Sequence, residues 1–271
     1  MTAYNREKYI VEAIESILAS TYTNFELIIV DDCSSDNTVS VAQSYEAIDS
    51  RIKVYINEKN LGQFANRNKA ALYSSGTYMK YVDSDDIIYP YTLAAMVAAM
   101  QHFPDAALGF CLTHGPCKKP LPYLLEPCEV YAQHFFGGGL LFVGPSGLII
   151  KKEVFFEVKC FEEYGMPSDN HLALKIAGKY PVVAMTRDLF WWRLHPDQAF
   201  GEQTRPQSVV NNFKYTNDLI KNYSPLSIKE NKRIIHNLNK IFYKNLIRIG
   251  IKKLMPVTAI SLFLQKKKLF I

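Results

Sequence analysis

Glu26-Leu27-Ile28-Ile29-Val30-Asp31-Asp32-Cys33-Ser34-Ser35-Asp36-Asn37 runs from an unbroken apolar segment through two carboxylates into turn chemistry. A short apolar run without alternation is the pattern of a strand buried on both faces, as in parallel sheets covered by helices on each side. The small polar residues after it form a turn and cap a helix over 38–45. Upstream, Tyr9, Ile10, Ala13, Ile14, Ile17 and Leu18 recur at helical spacing, which predicts a helix over 6–20 with Asn5 as its N-cap. Downstream come a strand over 52–56, a helix over 63–73 that carries Arg67, a strand over 76–82 and a helix from Pro90 to about residue 103. Strands alternating with helices of this length predict an α/β fold, a Rossmann-like, mostly parallel sheet flanked by helices.

The second half is less regular. A strand over 106–112 is followed by a loop over 114–120, and Gly137-Gly138-Gly139 marks a flexible point. Order returns with a strand over 146–150, a helix over 153–158 and a helix to Gly178 capped by Ser168-Asp169-Asn170-His171. Strands follow over 182–185 and 189–193, and past Thr204 the pattern is all helical. With 271 residues, 48% hydrophobic, the chain can bury a sizeable core and is not disordered. The net charge of +5 is uneven: residues 227–271 hold 11 Lys and Arg and one acid, a net of +10 that leaves −5 on the remainder. Five cysteines, an odd number without metal-ligand spacing, read as reduced thiols in a cytoplasmic protein. No signal peptide is expected ahead of the first helix, and no apolar run approaches the roughly 18 residues of a membrane span.

Tyr81-Val82-Asp83-Ser84-Asp85-Asp86 ends an apolar run in three carboxylates, just past a strand, where open α/β sheets hold their ligands. Carboxylates so close repel one another unless a cation or a set of donors neutralises them. A hard divalent ion, Mn²⁺ or Mg²⁺, completed by a nucleotide diphosphate, suits such a cluster.

Together these pieces resemble the family 2 glycosyltransferases, inverting enzymes of the GT-A fold that use nucleotide-sugar donors. The resemblance rests on Thr2-Ala3-Tyr4-Asn5, on the stretch from Glu26 to Thr38, on Asn60-Leu61-Gly62 with Ala65-Asn66-Arg67-Asn68, on Gly76-Thr77-Tyr78 with Asp83-Ser84-Asp85-Asp86, on Ser168-Asp169 and on Arg193-Leu194-His195. It implies that Asp32 accepts from the donor base beside Thr2 and Tyr4, and that Arg67 adds positive charge to the nucleotide pocket. It further implies Asp83 and Ser84 near the ribose and donor sugar, Asp85 as metal ligand, and Arg193 and His195 over the diphosphate, His195 as metal or phosphate partner. Asp169 matches the general base. The implied organisation is a GT-A catalytic domain over 1–203, with a nucleotide-binding half over 1–105 and an acceptor half over 106–203, and a helical basic appendage over 204–271.

Cys33 departs from the family's glycine, and Ser168 stands where an acid usually precedes the base. The Gln-x-x-Arg-Trp motif of processive synthases is absent, which favours transfer of a single sugar in cell-surface polysaccharide or glycolipid assembly. Relatives carry an apolar strand before Thr2, so the chain is expected to be a truncated reading. One rival reading is a nucleotidyltransferase, though Tyr4-Asn5-Arg6-Glu7-Lys8 is not its glycine-rich phosphate loop. Another is an inactive sugar-nucleotide binder or membrane-docking protein. Trp191 and Trp192 are expected to divide between core and surface. In the tail, Lys240, Lys244, Arg248, Lys252 and Lys253 recur among apolar residues, and Lys266-Lys267-Lys268 follow another apolar run. Such a basic amphipathic stretch fits an anionic membrane surface on the inner face of the cell membrane, holding a peripheral enzyme near a glycan or lipid-linked acceptor. It is a poor fit for nucleic acid, lacking interleaved aromatic platforms.

Overall fold

The computed structural model describes residues 1–113, 119–165, 167–195, 206–252 and 255–267. The first half alternates as expected: β1 (Thr2–Ala3), α1 (Ile10–Leu18), β2 (Leu27–Asp31), α2 (Thr38–Glu46), β3 (Ile52–Ile56), α3 (Gln63–Tyr73), β4 (Tyr78–Met79), β5 (Ile87–Ile88) and α4 (Thr92–His102). β1, β2 and β3 pair in parallel, with Thr2 opposite Val30 and Leu27 opposite Ile52. All five residues of β2 are buried, which is why its sequence shows no alternation. On its other side Thr2 bridges in parallel to Asp83, so the acids after β2 and β4 converge at one sheet edge.

The rest of the body adds β6 (Leu108–Cys111), β7 (Tyr123–Leu125), α5 (Pro127–Phe136), β8 (Leu148–Lys151), α6 (Lys152–Glu157), α7 (Ser168–Ala177), β9 (Val182–Met185) and β10 (Phe190–Trp191). A mixed sheet runs β4-β8-β6-β9-β7, parallel only between β6 and β9, while β10 and β5 form an antiparallel ribbon. Within it Gly109 lies under crowded side chains: an added Cβ would stand 2.2 Å from Met185 Cε and 2.9 Å from Ile149 Cγ2.

Several expectations are corrected. Asn5 caps no helix: its φ is +52°, its Oδ1 accepts from Ser35 N at 2.9 Å, and α1 starts only at Ile10. The strand expected over 76–82 stops at Met79, because the ladder with β8 ends there and side chains take over. The Lys80 ammonium donates to the Ser146 carbonyl and the Tyr81 hydroxyl to the Arg67 carbonyl. Trp191 and Trp192 both stay nearly half exposed on the outer ribbon, so neither is core. β5, β7 and α5 were not foreseen, although Glu126-Pro127 with Glu129 forms a capping box. Cys33, Cys111, Cys128 and Cys160 are free thiols.

The tail comprises α8 (Gln207–Asn222), α9 (Ile228–Ile247), a π-helical turn (Arg248–Lys252) and α10 (Pro256–Lys267). Val210, Phe213, Phe242, Leu246, Ile249 and Leu262 form a small core of their own. α8 also docks on the body: Tyr215 and Leu219 join the main core, and Asp218 meets His171 Nε2 at 2.8 Å. Lys266 is not the surface cation expected. It is buried among the rings of Phe213, Phe242 and Tyr243, 4.3 to 4.7 Å from their centroids, and donates to Asn239 Oδ1. Ile247, Ile251, Val257 and Ile260 face outward and are exposed. No helix among the described residues is long and apolar enough to cross a membrane. The loop at 114–118, Cys117, the boundary expected at 203, Lys253, Lys268 and the side chain of Lys252 lie outside the described residues.

Candidate active site

The turn after β2 is built by its own side chains. Asp31 accepts from Ser34 N at 2.8 Å and from Ser34 Oγ at 2.5 Å, while Asp36 Oδ1 accepts from Thr38 N at 3.0 Å at the start of α2. The segment after β1 is stitched to this turn through Asn5 N to Ser34 Oγ and Arg6 N to Thr38 Oγ1. Cys33 adopts a φ of +67°, the left-handed conformation that glycine takes most readily.

Asp32, the next acid, is buried and heavily solvated by protein. Its Oδ1 accepts from Asn57 Nδ2 and Leu61 N, each at 2.8 Å, and its Oδ2 from Gly62 N at 2.9 Å. Gly62 reaches it at a φ of +85°, before α3 begins. Asn66 completes the network, accepting from Asn57 Nδ2 and donating to Val30 O, both at 3.0 Å. Tyr4 stands exposed at the rim and Thr2 lies half-buried against Asp83.

The next residue of α3, Arg67, is buried between two carboxylates. Its Nη2 donates to Asp83 Oδ1 at 2.7 Å, and its Nη1 lies 3.8 Å from Asp169 Oδ1. Burial pulls the guanidinium down, but Asp83 and Asp169 together hold it above its ordinary value. Asp169 is in the first turn of α7 and caps nothing; the residue before that helix is Pro167, and Ser168 Oγ instead accepts from Tyr164 N at 2.8 Å. Burial pushes the Asp169 carboxyl up to about 7, with Arg67 opposing and Asp83 and Glu163 reinforcing. In the loop before α7, Glu162, Glu163, Tyr164 and Gly165 line a cleft of about 610 Å³ with Asn211 and Lys214, so α8 supplies one wall.

Each carboxylate of the acidic loop is met by protein. Asp83 has Arg67, and its N–H donates to Ser146 Oγ at 3.1 Å. Asp85 Oδ2 receives Arg6 Nε and meets His195 Nε2, both at 3.0 Å. Asp86 is buried, with its pKa raised by burial and by Asp83, and accepts from Arg193 N at 3.3 Å. Ser84 is buried between them. The Arg193 side chain donates to Asp85 O at 2.9 Å and pairs with Glu12 at 2.7 Å, while the His195 ring lies 4.4 Å from that of Tyr9. Thus Arg193 and His195 fold back over the acids from more than 100 positions along the chain. Arg6, Glu12 and Tyr9 were missed, because an amphipathic helix start gives no sign of which polar residue faces a site.

Among the described residues no group of three or more His, Cys, Asp or Glu gathers to hold a metal by itself. One carboxylate oxygen and one imidazole nitrogen at 3.0 Å do fit an Mn²⁺ or Mg²⁺ ion whose other positions are filled by water and phosphate oxygens. Arg6 occupies the same oxygen as a cation of the protein.

The glycosyl transferase family 2 model matches residues 1–158, more than half of the chain. This chain belongs to glycosyl transferase family 2. Among family 2 relatives, TuaG of Bacillus subtilis (strain 168), named for teichuronic acid biosynthesis, is 44% identical over 84 residues, 31% of this chain and 33% of TuaG. WfgD of Escherichia coli, named as a UDP-Glc:alpha-D-GlcNAc-diphosphoundecaprenol beta-1,3-glucosyltransferase, is 41% identical over 100 residues, 37% of this chain and 39% of WfgD. The match thus spans little more than a third of either relative. In fold, the chain is similar to Staphylococcus aureus TarS 1–349 in complex with UDP-GlcNAc, with a TM-score of 0.75 at 20% identity over 96% of this chain and 77% of that one. It is also similar to the mannosyltransferase PcManGT of Pyrobaculum calidifontis in complex with GDP-Man and Mn²⁺, with a TM-score of 0.67 at 16% identity over 98% of this chain and 73% of that one. The family 2 chain therefore has the GT-A fold.

Proposed function

We propose that this chain moves a single sugar from a nucleotide-diphosphate donor, a UDP-sugar being favoured, to an acceptor hydroxyl with inversion at the anomeric carbon. The observation that carries the reading is Asp169, a buried carboxylate facing the Arg67 guanidinium, with a proton affinity near neutrality. A base poised near the working pH is both ionised and able to draw a proton. Asp169 takes the proton of the acceptor hydroxyl, whose oxygen bonds to the anomeric carbon. The bond from that carbon to the diphosphate oxygen breaks, and its electron pair leaves on the diphosphate.

In this reading Thr2, Tyr4, Asp32 and Arg67 form the nucleoside end, Asp83 and Ser84 lie toward the ribose and donor sugar, and Arg193 lies toward the diphosphate. Asp85 and His195 would hold an Mn²⁺ or Mg²⁺ ion, which would supply positive charge for the leaving diphosphate. The domain division at 203 and 204 belongs to the proposal, with the tail's own small core as its support. Relatives named for teichuronic acid biosynthesis and for transfer to a diphosphoundecaprenol-linked sugar support a role in cell-surface polysaccharide or glycolipid assembly. The missing processive motif supports single transfer. Outward Ile247, Ile251, Val257 and Ile260, with Lys240, Lys244 and Arg248 nearby in sequence, support peripheral docking on the anionic inner face of the membrane, from the cytoplasm.

The test is Asp169→Asn, assayed with a panel of sugar nucleotides. The variant should bind UDP as the parent does and lose turnover; an active variant, or a product of retained configuration, sinks the mechanism.

A further inference from the structure

Arg67 has two carboxylate partners and is hydrogen-bonded to one of them. Its contact with Asp83 is a hydrogen-bonded ion pair at 2.7 Å; its approach to Asp169 stops at 3.8 Å, beyond hydrogen-bond reach. Three buried atoms around that gap have no hydrogen-bond partner: Arg67 Nε, Arg67 Nη1 and Asp169 Oδ1. Facing buried charges normally close such a gap, since each unmade bond leaves a desolvated group uncompensated. What keeps it open is visible. Asp83 draws the guanidinium the other way, the Tyr81 hydroxyl anchors the Arg67 carbonyl at 3.0 Å, and the Phe64 ring lies 5.4 Å from the guanidinium carbon.

We propose that Arg67 is a positioning residue shared by the two halves of the site: Asp83 holds it until the donor's ribose engages Asp83, whereupon Arg67 closes on Asp169 and holds it as the ionised base. The inference rests on the proposed assignment of Asp83 to the donor and Asp169 to the acceptor. It makes readiness to accept the acceptor's proton depend on an occupied donor site. The charged groups facing Asp169 are Arg67 from α3, Asp83 from the acidic loop and Glu163 from the loop before α7. With Arg67 turned toward Asp83, burial and the two acids keep the proton on Asp169 up to about neutral pH. At an effective dielectric of about 20, shortening the Arg67 to Asp169 distance by about 1 Å lowers the proton affinity roughly tenfold.

The experiment is a carbon NMR titration of the full chain with labelled aspartate carboxyls, in which Asp169 is assigned by the signal lost in Asp169→Asn. Titrations are run without ligand and with saturating magnesium and UDP, with GDP in parallel, and nucleotide binding is followed separately by calorimetry. The Asp169 midpoint should fall by about one pH unit or more on saturation. A midpoint that stays or rises while nucleotide binds overturns the inference and leaves the proposed function standing. Failure of both nucleotides to bind overturns both. In Arg67→Gln the ligand-induced fall should vanish, and in Arg67→Lys part of it should return, a rescue that a merely structural arginine would not give. If Arg67→Gln does not fold, the titration of the unaltered chain still decides.

Discussion

Replacing Asp169 with asparagine should make the protein more stable while it destroys activity, and the stabilisation should depend on pH. The Asp169 carboxyl is raised from 3.8 to about 7, an upward shift for an acid. Below about 4 it is protonated in both folded and unfolded chains and contributes nothing. Between about 4 and 7 the unfolded chain releases a proton that the folded chain keeps, so stability falls as pH rises, and above 7 the whole penalty is present. Three units at 1.36 kcal/mol each give an upper bound of about 4 kcal/mol. The side chain retains 14% exposure, and with solvent relaxation about 2 kcal/mol is the working figure. The asparagine side chain has the same shape without the charge. For a chain of 271 residues, 2 kcal/mol raises the melting temperature by roughly 4 °C. Thermal unfolding of Asp169→Asn and the parent should differ by that amount at pH 8 and by about a third of it at pH 5. Turnover should fall about 10²- to 10⁴-fold in the same variant. A variant less stable than the parent at pH 8, or a difference that ignores pH, refutes the reasoning.

The rate of transfer at low substrate should rise about tenfold per pH unit up to about 7 and then level, as the base ionises; a profile already flat at pH 5 would exclude Asp169 as the base. Asp85→Asn should abolish the manganese dependence of UDP binding in calorimetry, because it removes the carboxylate that meets His195; unchanged dependence would move the metal elsewhere. Gly109→Ala should cost about 1–3 kcal/mol in urea unfolding, since its methyl would meet Met185 and Ile149 in a filled sheet interior. Changing Ile247, Ile251 and Ile260 to serine should cut sedimentation with anionic vesicles more than about tenfold, each exposed isoleucine having about 1 kcal/mol or more to gain on burial. Equal pelleting would leave the tail a structural element only.

The first half of the chain was legible because local chemistry and global fold agree there. Leu27 to Val30 announced a two-face-buried strand, and the acids of its turn bind their own backbone, as short polar side chains do. The helix read over 63–73 is α3 residue for residue. Where reading failed, distance was the cause. Arg6 and Glu12 are ordinary residues at a helix start until Asp85 and Arg193 arrive from 79 and 181 positions away. Nothing near Asp169 in the sequence shows that it is no helix cap; its burial opposite Arg67 is set by α3, about 100 positions away. In the tail, periodicity revealed an amphipathic helix but not which face packs: Phe242, Leu246 and Ile249 turn inward, and Lys266 goes with them.

Asp32 bears on which nucleobase the proposed donor pocket accepts. A carboxylate offers about four lone-pair positions, and here three are filled by Asn57, Leu61 and Gly62 before any nucleotide arrives. One position remains, on Oδ2. The imide edge of uracil presents one N–H flanked by carbonyls and needs one such acceptor. The corresponding edge of guanine presents two neighbouring donors, which ask for both oxygens together. With Oδ1 already committed on both lone pairs, guanine would leave a donor unmet in a buried pocket, at a cost of about 1–3 kcal/mol. Leu61 and Gly62, which never touch the base in this scheme, would thereby discriminate between uracil and guanine donors by consuming the acceptor that guanine requires.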